Sequence, residues 1–207
     1  MQSMENIPPV DPSPEAVPTT EVKPSQRLTR GVVFGWLIDV VETLILALVL
    51  FVIINALTSR VRVENISMEP TLYPGELILV SKLAYTLGEP RHGDVVIFHA
   101  PNNPGEDYIK RIIGVPGDQV DIANGEVRVN GVLLNEPYIS AAPGYTGSWT
   151  IPEESLFVLG DNRNSSSDSH AWGYVPMGEV IGKALCIYWP FDQIKNLTQP
   201  DIVTASQ

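Results

Sequence analysis

Cysteine is almost absent from this chain, with one, Cys186, in 207 residues. An intrachain disulfide is therefore excluded, and so is a cysteine-based zinc cluster. Cys186 sits in the apolar run Ala184-Leu185-Cys186-Ile187-Tyr188-Trp189 and reads as a core thiol rather than a nucleophile. Basic residues are scarce too: 13 Lys and Arg stand against 24 Asp and Glu, for a net charge of −11. A nucleic-acid binder needs a cationic face for phosphate contacts, so that class is set aside, and the acidity is read as solubility. The three histidines, His92, His99 and His170, fall in no His-Glu-x-x-His pattern, and there is no Gly-x-Ser-x-Gly elbow. No internal repeat is seen, and no long helical pattern follows residue 60.

One long hydrophobic run is present. Seventeen residues from Thr43 to Ser59 carry no charge, and 28 mostly apolar residues run from Val32 to Ser59, interrupted by Asp39 and Glu42. About 20 helical residues cross a hydrocarbon core. The head before the run is too long and too proline-rich for a cleaved signal peptide, and no small-x-small site follows it. Leu46 to Leu57 offers only Asn55 as a polar stripe, which a buried globular helix would exceed. The run is therefore expected to be a retained transmembrane anchor over 31–59. Lys23, Arg27 and Arg30 precede it and Arg60 and Arg62 follow, a one-residue bias toward a cytoplasmic N-terminus.

Residues 1–26 carry six prolines and little apolar content, so 1–30 is expected to be a disordered tail. A loose C-terminal tail is expected over 195–207. Between them, 60–194 reads as strands. Glu76–Val80, Asp94–Phe98, Ile109–Val115, Leu156–Leu159 and Val180–Tyr188 are short apolar runs separated by glycines and prolines. Gln119–Ile122 and Glu126–Val129 alternate, and Asn124-Gly125 and Asn130-Gly131 supply the positive φ values of tight hairpin turns, which predicts a three-strand meander. The expected class is all-β, an antiparallel sandwich or barrel-like domain behind one N-terminal transmembrane helix.

Three segments carry chemistry. Ser67 lies three residues before Pro70, and proline holds Glu69 extended, so the serine can sit on a rigid turn with its hydroxyl exposed. Alone, such a stretch is an ordinary turn. In Tyr108-Ile109-Lys110-Arg111-Ile112-Ile113, strand alternation puts Lys110 on one face and Arg111 on the other. Both chains can snorkel to water. If one cation is instead desolvated, only lysine can act as a base, because arginine stays protonated. Lowering a lysine from about 10.4 by roughly two to three pH units costs about 3–4 kcal/mol, within reach of a packed domain. Such an amine could take the Ser67 proton. The third segment, Gly160 to Gly173, is dense in hydrogen-bonding groups. It is either a solvated loop or a scaffold bridged internally by Asp161 and Asp168 with Arg163.

Ser67-Met68-Glu69-Pro70-Thr71-Leu72, Arg91-His92-Gly93-Asp94-Val95-Val96-Ile97-Phe98, Tyr108-Ile109-Lys110-Arg111-Ile112-Ile113-Gly114 and the Gly160–Gly173 block, in this order behind an anchor, resemble bacterial-type signal peptidase I, a serine–lysine peptidase family. The resemblance implies Ser67 as nucleophile, Lys110 as general base, and Ser166 as the serine that orients the lysine. It implies an oxyanion hole from the Ser67 N–H and Asn65, where many members have Ser or Gly. Asp161, Arg163 and Asp168 match the family's structural support, and His170 stands where many members have Arg. Val61, Val63, Met68, Leu72, Tyr108 and Ile109 match positions lining shallow apolar pockets for small side chains. No metal or other cofactor is implied. The implied substrates are exported preproteins, cut after small-x-small sites to remove their signal peptides. The implied partners are the bilayer and the protein-export machinery, with no nucleic acid. The implied location is the plasma (inner) membrane, single-pass with the catalytic domain extracytoplasmic, or a thylakoid membrane. The Ser-His-x-Trp-Gly ending is similar to members from photosynthetic lineages.

Rival readings are a Ser-His-Asp hydrolase using one of the three histidines, an anchored non-enzymatic β domain for partner binding or envelope assembly, and a Ser–Lys relative processing pilus or repressor proteins. The triplets Asn65-Ile66-Ser67 and Asn196-Leu197-Thr198 match the glycosylation pattern and are assigned nothing. Tyr145 and Trp149 are considered for lipid contact.

Overall fold

The structure, a computed structural model, describes residues 30–103, 105–198 and 202. The expected tail over 1–30 lies outside the described residues except for Arg30, which opens a helix, α1 (Arg30–Leu57). Its stretch Phe34–Leu57, 24 residues of mean hydropathy 2.8, is long and apolar enough to cross a membrane. The helix stops two residues short of the expected boundary because its end is claimed by neighbours. Thr58 Oγ1 donates to the Ile54 carbonyl at 2.8 Å, and the Lys82 amide donates to the Leu57 carbonyl at 3.0 Å. Both satisfy carbonyls that a helix terminus leaves unpaired.

From Thr58 the chain is built of strands: β1 (Thr58–Arg62), β2 (Leu77–Ser81), β3 (Val95–His99), β4 (Asp107–Gly114), β5 (Gln119–Ala123), β6 (Glu126–Val129), β7 (Val132–Leu133), β8 (Gly147–Thr150), β9 (Ser155–Leu159), β10 (Val175–Pro176), β11 (Val180–Trp189) and β12 (Lys195–Asn196). Every pairing is antiparallel. The larger sheet runs β1-β2-β11-β3-β4-β9-β10 with β12 added to β11, and the smaller runs β7-β6-β5-β8. The all-β antiparallel class holds. So does the meander, whose two Asn-Gly turns have positive φ at both residues: 53° and 79° at Asn124-Gly125, 53° and 82° at Asn130-Gly131. β1, β8, β10 and β12 escape the sequence reading. They are short or edge strands without an apolar run.

The apolar run in β3 is continuous because both of its faces are covered. Val95 and Ile97 pack with Met68, Leu72, Ile78 and Val80, while Val96 and Phe98 pack with Ile112, Leu156 and Val158. A third cluster joins Ile113 and Phe157 to the smaller sheet through Val120, Ile122, Val127 and Val129. The chain from 195, expected to be loose, begins as β12: Asn196 pairs with Cys186, and Leu197 is buried among the residues around Met68. Ile202 is buried against the third cluster. Leu197 and Ile202 gain more from burial than from solvation, which accounts for their places, and the rest of the expected tail, 199–201 and 203–207, lies outside the described residues. Cys186 itself is half-buried and free.

The loop after β9 is pinned by buried charges. Arg111 reaches it from β4, where it pairs in register with Leu159. Its Nε and Nη2 donate to the two Asp161 oxygens at 2.8 and 2.6 Å, both residues being wholly buried. Arg163 does not bridge Asp161 or Asp168, so of the two readings of this segment, a solvated loop or an internally bridged scaffold, neither describes it. Arg163 donates to Glu136 at 3.0 and 2.5 Å and to the Gly160 carbonyl at 3.1 Å. The reason is geometric: Asp161 is already occupied by the fork of Arg111, which leaves Arg163 to an acid from outside the loop. Asp168 accepts from the Gly160 amide at 2.9 Å and caps a short helix, α2 (Ser169–Trp172).

Two stability tests follow from this packing. A methyl on Gly182 of β11 would run into the Ser81 backbone carbonyl, so Gly182→Ala is expected to lower unfolding stability by about 1–3 kcal/mol. Asp161→Asn leaves the Arg111 charge buried without its counter-ion and is expected to cost about 3–5 kcal/mol. Urea unfolding of the detergent-solubilised chain measures both, and wild-type midpoints would contradict the packing described.

Candidate active site

Ser67 sits in a single 3-10 turn, Ile66–Met68, which its neighbours hold rigidly. Met68 is 1% exposed and anchors the turn in the core, and the Thr71 and Leu72 amides donate to the Met68 carbonyl at 2.8 and 2.9 Å. From the other side the Asn162 amide donates to the Ser67 carbonyl at 3.0 Å, and Asn162 Nδ2 to the Ile66 carbonyl at 3.2 Å. The Gly160–Asn162 loop thus fixes the serine backbone. Gly160 has to be glycine for this approach, since a side chain there would overlap both the Ser67 carbonyl and Ser166 Oγ.

Lys110 enters from β4, with Nζ donating to Ser67 Oγ at 2.7 Å. It does not snorkel: the residue is 4% exposed, with Nζ 5.3 Å from the centre of the Tyr108 ring. Burial pushes its pKa down from 10.5 to about 8, against the opposing pull of Asp168 and then Asp161. A fraction of the amine is therefore neutral near pH 7, with a lone pair beside the hydroxyl. His92, His99 and His170 are each paired with an aspartate instead, Asp118, Asp107 and Asp168, at 2.7, 2.8 and 2.6 Å.

A cleft of about 930 Å³ opens onto this pair. Its walls are β1, the segment 63–68, the start of β4 from Asp107 to Lys110, and Ser165 and Ser167. Of the residues matched to substrate pockets, Val61, Val63, Met68, Tyr108 and Ile109 line it. Leu72 does not: it is wholly buried beneath Met68, where its side chain supports the floor instead. Asn65 is exposed on the cleft wall, and its side chain makes no capping bond to the turn. Ser166 is absent from the lining, and its hydroxyl is buried without a hydrogen-bond partner, so no bond joins it to Lys110. It packs beside Gly160. Tyr145 and Trp149 are engaged inside the domain, stacked on His170 with centroids 3.9 Å apart and packed on Phe157 at 4.9 Å.

Arg111 and Glu136 support the site and were not singled out from sequence for that role. A signal for the first was available: an arginine inside an apolar strand run must find an anion. Nothing local pointed to Glu136.

A family model described as signal peptidase, peptidase S26, matches residues 37–189. Among curated relatives, a probable signal peptidase I-2 of Synechocystis is 39% identical over 170 residues, covering 79% of this chain and 78% of that one. A signal peptidase I of Leptolyngbya laminosa is 37% identical over 193 residues, covering 88% and 95%. A signal peptidase I of Bacillus caldolyticus is 38% identical over 183 residues, covering 81% and 96%. The match spans the apolar helix, Ser67, Lys110 and the loop after β9, and the chain belongs to the signal peptidase family, peptidase S26.

Proposed function

We propose that the chain is a membrane-anchored serine endopeptidase that removes N-terminal signal peptides from exported preproteins, with Ser67 as nucleophile and Lys110 as general base. The observation that carries this reading is the 2.7 Å contact between Ser67 Oγ and a buried amine whose pKa is pushed down to about 8.

In the active form the Lys110 amine is neutral, and the Ser67 hydroxyl donates to its lone pair. As the proton moves to Nζ, Oγ attacks the scissile carbonyl carbon and the carbonyl oxygen becomes an oxyanion. The Ser67 amide, in the first turn of a helix and without an intrahelical acceptor, is suited to receive that charge, and the exposed Asn65 amide is the second donor. Collapse of the intermediate breaks the C–N bond, and the Lys110 ammonium returns its proton to the departing amine. Water then enters, gives a proton to Lys110 and attacks the ester. The ester C–O bond breaks, Ser67 recovers its proton, and the signal peptide leaves as a carboxylate. One lysine serves as base and acid in both halves because its proton affinity is near neutral.

The apolar side chains of Val61, Val63, Met68, Tyr108 and Ile109 on the cleft wall support a cut beside small apolar side chains. The outer edge of β1, which among the described residues pairs only with β2, supports an extended substrate adding a strand beside it. Phe34–Leu57 as a retained span places β1 directly after the membrane in the chain, so preproteins held by their own signal peptides meet the cleft near the bilayer. The proposed topology is a cytoplasmic N-terminus with the β domain outside the cytoplasm, working alongside the export machinery.

Cleavage of a preprotein in detergent tests this. Ser67→Ala and Lys110→Ala are each expected to lower kcat by at least ~10³-fold. Wild-type kcat/KM is expected to rise about tenfold per pH unit below a midpoint near 8, because about a tenth of the amine is neutral at pH 7, and then to level off. A flat profile from pH 6 to 10, or full activity in Lys110→Ala, would rule the reading out.

A further inference from the structure

Two carboxylates stand close enough to Lys110 to hold its proton on, Asp168 and Asp161. Each has its own partner. Asp161 is gripped by the two-pronged fork of Arg111. Asp168, wholly buried, takes a hydrogen bond from His170 Nδ1 at 2.6 Å on the oxygen that the Gly160 amide leaves free. We propose that His170, held between Asp168 and the ring of Tyr145, is a positioning residue for the Ser67–Lys110 pair, drawing Asp168's charge away from the amine and keeping the Gly160–Asn162 loop against the serine. This rests on Ser67 and Lys110 being the reacting pair.

The His170 ring is built into place. Tyr145 stacks on it with ring centroids 3.9 Å apart and planes 11° from parallel. Tyr145 is itself delivered by a latched loop: Asn164 Nδ2 donates to the Ala142 carbonyl at 2.9 Å, and the Gly144 amide donates to Asn164 Oδ1 at 2.8 Å. Burial first, and then Asp168, push the Tyr145 phenol up, so the stacked ring is neutral at working pH. The hydrogen bond of His170 continues through Asp168 to the Gly160 amide, and two residues on, the Asn162 amide holds the Ser67 carbonyl. The charged and titratable groups bearing on this assembly are Asp168 and Tyr145 at His170, Asp168, Arg163 and Glu136 around Tyr145, and Asp168, Asp161, Tyr108 and Ser67 around Lys110.

The sign of the effect is fixed. A donor on Asp168 lowers the negative potential at Lys110, so its loss lets Asp168 hold the Lys110 proton more firmly. The acidic limb of activity then moves to higher pH. The kcat/KM profile from pH 6 to 10 in the full-length chain reads this directly. His170→Phe, which keeps a ring against Tyr145 but carries no donor, is expected to move the midpoint up by roughly half to one pH unit. Tyr145→Leu, which frees the ring to leave Asp168, moves it the same way by less. His170→Arg, which puts a permanently charged donor on Asp168, leaves the midpoint at the wild-type value or lowers it. A role confined to folding lowers amplitude in all three variants with the midpoint unmoved, and that result overturns the proposal. Lys110→Ala is run in the same assay. Unmoved midpoints with an inactive Lys110→Ala reject the His170 role alone, whereas an active Lys110→Ala rejects the Ser67–Lys110 pair and this inference with it.

Discussion

A lysine amine that is to act as a base, the role proposed for Lys110, must be kept out of water without being surrounded by uncompensated acid, and the surroundings of Lys110 meet that constraint. Burial among β3, β4 and the Ser67 turn lowers its proton affinity to about 8. Yet the loop that fixes the serine backbone carries Asp161 and Asp168, whose charges work in the opposite direction. The two demands are reconciled by counter-ions. Arg111, next to Lys110 in sequence but directed to the other side of the strand, takes Asp161. Strand alternation is what makes this arrangement available: adjacent cations point apart, one to be deprotonated and one to stay charged.

The same loop gives the site its rigidity. Two of its charged side chains are tied to separate parts of the domain, Asp161 to β4 and Arg163 to Glu136 just after β7, while Asp168 braces the loop from within through the Gly160 amide and the short helix it caps. A nucleophile on a mobile turn would lose the orientation on which attack depends. Here the Ser67 turn is buried through Met68 below and hydrogen-bonded through Asn162 above. The polar density of Gly160 to Gly173 is thus explained by attachment rather than by solvation.

Much of this was legible in the residues. Asn-Gly pairs announce their turns because few other dipeptides tolerate positive φ twice in succession, and the apolar runs of β2, β3, β9 and β11 declare buried strands. Ser67 and Lys110 are legible as a pair through the resemblance of four ordered segments to the family, whereas alone the serine reads as an ordinary turn and the lysine as a chain free to snorkel. What stayed hidden depends on contacts between distant segments. Arg111 meets Asp161 across 50 residues and Arg163 meets Glu136 across 27, so their partners are set by strand register and not by local pattern. Leu72 is wholly buried in the cluster that contains Met68 instead of lining the cleft as its match to pocket positions implies, and β1 is an edge strand with Val61 as its one apolar residue that gains its order from pairing with β2. The start of the C-terminal segment is ordered for a similar reason, through a two-residue pairing and the burial of Leu197.

Everything in the chemistry turns on the protonation of one amine, and that can be watched without turnover. Titration of Lys110 Nζ by nitrogen-15 NMR, in the full-length chain in detergent, should give a midpoint near 8, well below the ordinary 10.5. A midpoint at the ordinary value would mean a solvated ammonium that cannot take the Ser67 proton near neutrality, and would contradict the proposed mechanism.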